Sequence, residues 1–285
     1  LKFDYERTGI IIQGGVPIPP QPKFKDGVDE DETSFKLGAQ WDMSEEHMLY
    51  LTWSEGYKSP AFNIVFETVE GTPPVAAETS DAFELGLKST LFDNRLILNT
   101  SAFYTKFQDF QSQAQDSTTG QFSLLSVGDV VTQGVEMDFT ARPTANWDIF
   151  GGFAYVDTEI KDLDRAPCSP AQRVDPAGEC AIFGYQDVRG EGMPYSPEFK
   201  FTLSTRYMVP LDMSFDLALG ANYRWQDDVL YAIDQDENKE QESFGVLDLS
   251  IGLMDDGGRY EVNLYVDNVL DEDYASAILT NNILN

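Results

Sequence analysis

Alternation with a period of two constrains this chain more than any other feature: about ten stretches put apolar and polar residues on opposite sides of an extended backbone. In TSFKLGAQWDM, Phe35, Leu37, Ala39, Trp41 and Met43 share one side, and Ser34, Lys36, Gly38, Gln40 and Asp42 share the other. The pattern recurs in HMLYLTWSEGY (Leu49, Leu51, Trp53, Tyr57), ETSDAFELGLKSTL (Phe83, Leu85, Leu87, Leu91) and RLILNTSAFYTKF (Leu96, Leu98, Ala102, Tyr104). It returns in GVEMDFTAR (Val135, Met137, Phe139, Ala141), EFKFTLSTRYMV (Phe199, Phe201, Leu203, Tyr207) and MSFDLALGANYRW (Phe215, Leu217, Leu219, Tyr223). WDIFGGFAYV, FGVLDLSIGLM and RYEVNLYVDN complete the set. Each reads as a strand with one dry side.

A soluble sandwich also alternates, so length and loop placement decide between the two. Most stretches reach the ~9–11 residues that a tilted strand needs to cross a bilayer, against ~5–6 for globular strands. Tight polar turns at 44–46, 93–94, 143–146, 210–211 and 255–258 take turns with long loops at about 7–32, 58–78, 109–122, 157–193 and 227–243. Asp-Asp-Gly-Gly at 255–258 has the composition that a hairpin prefers. Short turns at one end and long loops at the other are the pattern of an all-β, antiparallel transmembrane barrel, with the turns in the periplasm and the loops outside the cell. Aromatic placement agrees: Trp41, Phe92, Trp147 and Tyr207 lie near the short turns, and Tyr57, Tyr104, Tyr155 and Trp225 toward the long loops. No run of about eighteen apolar residues predicts a transmembrane helix. No signal peptide opens the chain, and Leu1 stands inside a strand-like LKFDY, so the sequence reads as starting partway through a larger molecule.

With Leu85, Phe139, Leu203 and Leu217 facing lipid, the opposite positions line the interior. These are Lys36, Gln40, Glu84, Lys88, Glu136, Asp138, Lys200, Arg206, Asn222 and Arg224. Mixed signs there suit ion pairing around a wet lumen. A charge facing hydrocarbon would cost ~2–4 kcal/mol. The net charge of −30, from 49 acids against 19 bases, argues against nucleic acid as a partner.

Much of that acidity sits in loops, at residues 26–32 and 227–242. Asp234, Asp236 and Asn238 have the first three spacings of a calcium loop. Lys239 takes the place of the turn glycine, however, and Gly245 that of the closing glutamate, so no metal site is expected. Cys168 and Cys180 fall in the longest loop, where an oxidising exterior predicts a disulfide. Zinc is not expected, since the single histidine, His47, lies at the opposite end, and no catalytic constellation or cofactor motif is present.

YLTWSEGYKSPAFN, ETSDAFELGLKS, NTSAFYTKFQDFQ, GVEMDFTARPTANWDIFGGFAYVDTEI and EVNLYVDNVLDEDY, in that order, resemble the C-terminal barrel half of TonB-dependent outer-membrane receptors. The resemblance runs from about Phe35 to Tyr274. It implies ten or eleven strands of a 22-stranded barrel filled by a separate plug domain. This chain shows neither plug nor TonB box, and it ends in Asn-Asn-Ile-Leu-Asn285 rather than in a terminal strand with a final aromatic. Ten or eleven strands also leave two unpaired edges that cannot face lipid, so residues 1–285 read as part of a barrel.

By the same resemblance the activity is TonB-energised uptake of a scarce nutrient across the Gram-negative outer membrane, with a ferric siderophore as the expected cargo. An oligosaccharide, a vitamin or a peptide is the alternative cargo, and a passive porin or structural barrel the alternative function. Expected partners are outer-membrane lipid and lipopolysaccharide, the TonB system acting through the plug, and the nutrient. Ligand contacts are expected in the outer loops: Tyr57, Lys58, Phe62 and Asn63, then Phe110 and Gln111, then Tyr185 and Arg189.

Overall fold

Ten strands pair in sequence order in the computed structural model. It describes residues 2–7, 12–13, 16–17, 24–62, 74–115, 122–211, 214–255, 257 and 259–279. The strands are β1 (Lys36–Asp42), β2 (His47–Lys58), β3 (Glu78–Leu91), β4 (Leu96–Gln108), β5 (Val130–Thr144), β6 (Trp147–Ile160), β7 (Phe199–Pro210), β8 (Phe215–Gln226), β9 (Phe244–Asp255) and β10 (Glu261–Val266). Each pairs antiparallel with the strand before it and the strand after it, giving an open meander with β1 and β10 at its edges.

Register carries the sequence alternation from β1 to β8. One row runs Trp41, Leu49, Leu87, Thr100, Met137, Phe153, Phe201 and Trp225. The adjacent row, one residue along each strand, runs Gln40, Tyr50, Gly86, Ser101, Glu136, Ala154, Lys200 and Gln226. Successive rows lie on opposite faces, so a slip of one residue would exchange apolar for polar throughout. On β3 the apolar side runs from Phe83 to Leu91. That is roughly 26 Å along the strand at ~3.3 Å per residue, or about 20 Å of height at a tilt of ~40°. Ser89 interrupts this band, but it is buried and bonded to His47 Nδ1 at 2.9 Å, so its hydroxyl is satisfied.

The polar face is cross-linked by its own side chains. Tyr50 donates its hydroxyl to Glu84, and Asn99 Nδ2 donates to Asp138 at 2.9 Å. Ser204 donates to Asn222 Oδ1 at 2.7 Å, while Asn222 Nδ2 and Arg224 both reach Asp248, at 3.1 and 3.4 Å. Gly86 lies under the Tyr50 ring, which a Cβ there would strike.

Neither face of the wall is sealed: Leu85 is 49% and Leu203 43% exposed on the apolar side, and Lys88 and Arg224 are exposed on the polar side. The buried cluster lies instead at the long-loop end. Val127, Val130, Ile160, Ala166, Val188 and Ile233 meet there, flanked by Phe107, Phe110 and Leu163.

Several features depart from the sequence reading. The strand-like opening is a strand at Lys2–Arg7, but it pairs with Phe24–Asp29, inside the expected 7–32 loop, as a two-stranded sheet separate from the wall. The 109–122 loop holds a hairpin of Gln111–Gln115 with Phe122–Ser126. β5 continues to Thr144, with a register irregularity between Ala141 and Thr144, which shortens the expected 143–146 turn. β6 runs on to Ile160, so its loop starts later than 157 and then forms two short helices, α1 (Pro170–Val174) and α2 (Glu179–Phe183). These strand ends outlast the apolar belt, and Val130 and Ile160 end inside the loop cluster.

Candidate functional site

The long-loop end is where the chain builds specific geometry. After β2 the chain returns through a bridge between Ala61 and Val75 before entering β3. Gln111, 5% exposed, ties this loop to its neighbour. Its amide donates to the carbonyls of Ser59 and Ala76, at 2.9 and 2.7 Å, and its backbone N–H donates to Glu78 at 2.8 Å. Lys58 Nζ reaches Glu78 at 3.5 Å and the Gln111 carbonyl at 3.4 Å.

Of the residues expected to meet ligand, Lys58 and Gln111 are therefore in contact, with Lys58 exposed and Gln111 fully engaged. Phe110 beside them packs on the buried cluster, edge-on to Phe107 at 5.2 Å. Phe62 is half-buried, and Asn63 lies outside the described residues. Tyr57 shares the side of β2 that carries Leu51 and Trp53, and its hydroxyl donates to Glu30 at 2.7 Å.

Tyr185 and Arg189 form a second group in the loop after β6. The Arg165 guanidinium stands 5.0 Å over the Tyr185 ring, and Phe183 stacks on the same ring at 5.9 Å. Arg189 grips Asp187 with two nitrogens, Nε to Oδ1 at 2.9 Å and Nη2 to Oδ2 at 2.5 Å. Those bonds hold the Asp187 carboxyl down at about 2 and push the Arg189 guanidinium up from its ordinary value.

This loop is held from within. Cys168 and Cys180 are joined, with Cα atoms 5.9 Å apart. Ser169 and Gln172 form a reciprocal capping box on α1: Gln172 N–H donates to Ser169 Oγ at 3.3 Å, and Ser169 N–H to Gln172 Oε1 at 2.8 Å. Gln172 and Gln186 then reach across to the 227–243 loop, donating to the Asp234 carbonyl at 2.9 and 2.7 Å.

In that loop the calcium-like spacing has another occupant. Lys239 puts its ammonium 2.7 Å from Asp234 Oδ2, with both side chains buried, while Asp236 accepts from Asn238 N and Nδ2 at 3.1 and 2.8 Å. The sequence reading missed Gln172, Gln186 and the Asp234–Lys239 pair. The Ser-x-x-Gln spacing at 169–172 was the available signal for one of them. The others depend on contacts distant in sequence.

The wall, its two faces and the packed loop layer agree with what comparison finds. Residues 5–269 match the family model described as TonB dependent receptor-like, beta-barrel. The catecholate siderophore receptor Fiu of Escherichia coli K12 is 23% identical over 94% of this chain and 32% of its own length. The pesticin receptor of Yersinia pestis is 26% identical over 96% of this chain and 36% of its own. In fold, the chain is similar to the ferric yersiniabactin uptake receptor FyuA from Yersinia pestis, with a TM-score of 0.72 at 20% identity, covering 97% of this chain and 38% of that one. The chain thus spans about a third of the length of the curated relatives it matches. It belongs to the TonB-dependent receptor-like β-barrel family of the Gram-negative outer membrane.

Proposed function

We propose that this chain is the C-terminal barrel portion of a receptor that imports a ferric siderophore across the outer membrane with energy passed through TonB. The observation that carries the reading is the two-sided wall, apolar in one set of rows and polar and hydrogen-bonded in the other, roofed at one end by a cross-linked loop layer. Such a wall suits a lumen that holds a plug and passes a polar cargo. The siderophore class rests on the relatives, whose names include catecholate siderophore receptors.

Under this reading the loop layer faces outward and meets cargo first, with lipid and lipopolysaccharide around the belt. Lys58 and Arg189 offer exposed charge and the half-buried Tyr185 an aromatic surface, with Tyr57, Phe62 and Asn63 close by in sequence. Gln111 and Phe110 act as positioning residues that hold the loops which present them.

Uptake of radioactive iron as ferric siderophore, in cells with and without the receptor and with and without TonB, tests the function. Uptake that needs both is expected. Iron entry indifferent to TonB would convert the reading to a passive pore, and induction by a sugar rather than by iron scarcity would replace the cargo. Changing Tyr57 and Arg189 together to alanine tests the loop residues, with weakened siderophore binding expected and unchanged affinity rejecting that pair.

A further inference from the structure

A cavity of about 170 Å³ lies where three loops and the segment after β10 converge, walled by Pro167, Tyr195, Tyr231, Asp234, Lys239 and Leu279 among others. Its chemistry is unusual for a loop seam. Asp234 is 3% and Lys239 4% exposed. Their single bond uses Asp234 Oδ2, leaving Oδ1 buried without a hydrogen-bond partner. The ammonium carries three N–H donors, and one of them is spent on that bond. A buried acceptor and a buried donor thus retain unused capacity beside the same cavity, at a place where native proteins nearly always satisfy such groups.

Three properties narrow the ligand. The ion pair is neutral as a whole, so a charged guest would be desolvated with no net opposite charge to receive it. The unfilled acceptor and donor sit on bonded partners, which suits one group that both gives and takes a hydrogen bond. A hydroxyl does both. Apart from Gln113, the other walls are aromatic or aliphatic: Tyr231 and Tyr195 lie 5.1 Å apart, and Tyr195 takes φ 64°, a left-handed conformation that a large side chain rarely adopts. The Tyr231 hydroxyl is already committed to the Ala275 carbonyl at 2.7 Å. Exposed Tyr195 brings one wall to the surface.

We propose that this cavity is a binding site for a small uncharged molecule with one hydroxyl on an apolar ring, of the phenol class. The hydroxyl donates to Asp234 Oδ1 and accepts from Lys239 Nζ, and the ring lies against the tyrosines. The site is read from the cavity alone and does not depend on the import reading, and its test involves no transport.

Crystals of the full-length receptor soaked in graded concentrations of 4-bromophenol, with 4-bromoanisole as the analogue that accepts but cannot donate, locate the probe by its bromine signal. The expected result is bromophenol in the cavity at roughly five- to tenfold lower half-occupancy concentration than bromoanisole, the worth of one hydrogen bond. In Asp234→Leu combined with Lys239→Met, which removes both charges together, the two probes should occupy equally. Ala232→Leu, which fills the cavity from its lining, should exclude both. Equal occupancy of the two probes in the unaltered receptor, no bromine signal in the cavity, an ordered water only, or undiminished occupancy in Ala232→Leu would each overturn the proposal. The comparison of probes in the unaltered receptor stands even if the double variant does not fold.

Discussion

The wall and the loop layer are held together in different ways. In the wall, neighbouring strands pair by register over most of their length, with an irregularity between Ala141 and Thr144, and side chains such as Leu85 and Leu203 stay open to their surroundings. On the proposed membrane reading, hydrocarbon around the belt takes the place of a packed core. In the loop layer the backbone is irregular, and order comes from buried apolar residues, a disulfide and side chains that reach distant carbonyls. The wall therefore tolerates change according to which face it touches, and the loop layer according to which long-range link it breaks.

The largest effect should come from breaking the face rule. Leu85→Arg puts a cation in the apolar band and should destabilise the bilayer-embedded receptor by about 2–4 kcal/mol, read by urea unfolding in lipid vesicles. Gln40→Arg, on the polar face, should cost little in the same assay. Next comes the loop layer: Cys168→Ser with Cys180→Ser removes a restraint of about 3 kcal/mol on the chain-entropy model. Proteolysis near residues 168–180 should accelerate while the melting of the wall stays put, a separation that a common core would not allow.

Gly86→Leu tests the wall's polar face. The new side chain must displace the Tyr50 ring from its bond to Glu84, with overpacking of this kind costing about 1–3 kcal/mol in the same unfolding assay. Gln111→Ala leaves the Ser59 and Ala76 carbonyls without their donor, at a cost of about 1–2 kcal/mol. Hydrogen exchange should quicken around 59–62 and 74–78 and nowhere in β5 to β9. The smallest effect is that of pH on the Asp187–Arg189 pair. Its folded carboxyl titrates near 2 against an ordinary 3.8, so its contribution is complete above the ordinary value and fades as pH falls through about 2. Titration of Asp187 by NMR should return toward the ordinary value in Arg189→Ala.

The same contrast explains what could be read from the residues. The strands and their faces were legible because a wall between oil and water writes its period into every second residue, as in Phe83, Leu85 and Leu87 against Glu84 and Lys88. Where the strands rise above the apolar belt the signal stops: Asp157 and Glu159 look like loop, yet they belong to β6, whose end is fixed by Ile160 packing with Val130. The irregularity at Ala141–Thr144 and the pairing of Lys2–Arg7 with Phe24–Asp29 left no periodic trace either. Within the candidate site, the cysteine pair was readable from spacing and setting. The roles of Gln111, Gln186 and Lys239 were not, because each is defined by a partner that only the fold brings near.

Spin labels placed one at a time on cysteines at residues 83 through 88 test the two-faced wall most directly, since the described residues contain no free cysteine to compete. In lipid vesicles, labels at 83, 85 and 87 should respond to oxygen dissolved in the bilayer, and those at 84, 86 and 88 to a water-soluble nickel reagent. Accessibility without a period of two along β3, or with the two sets exchanged, would contradict the account.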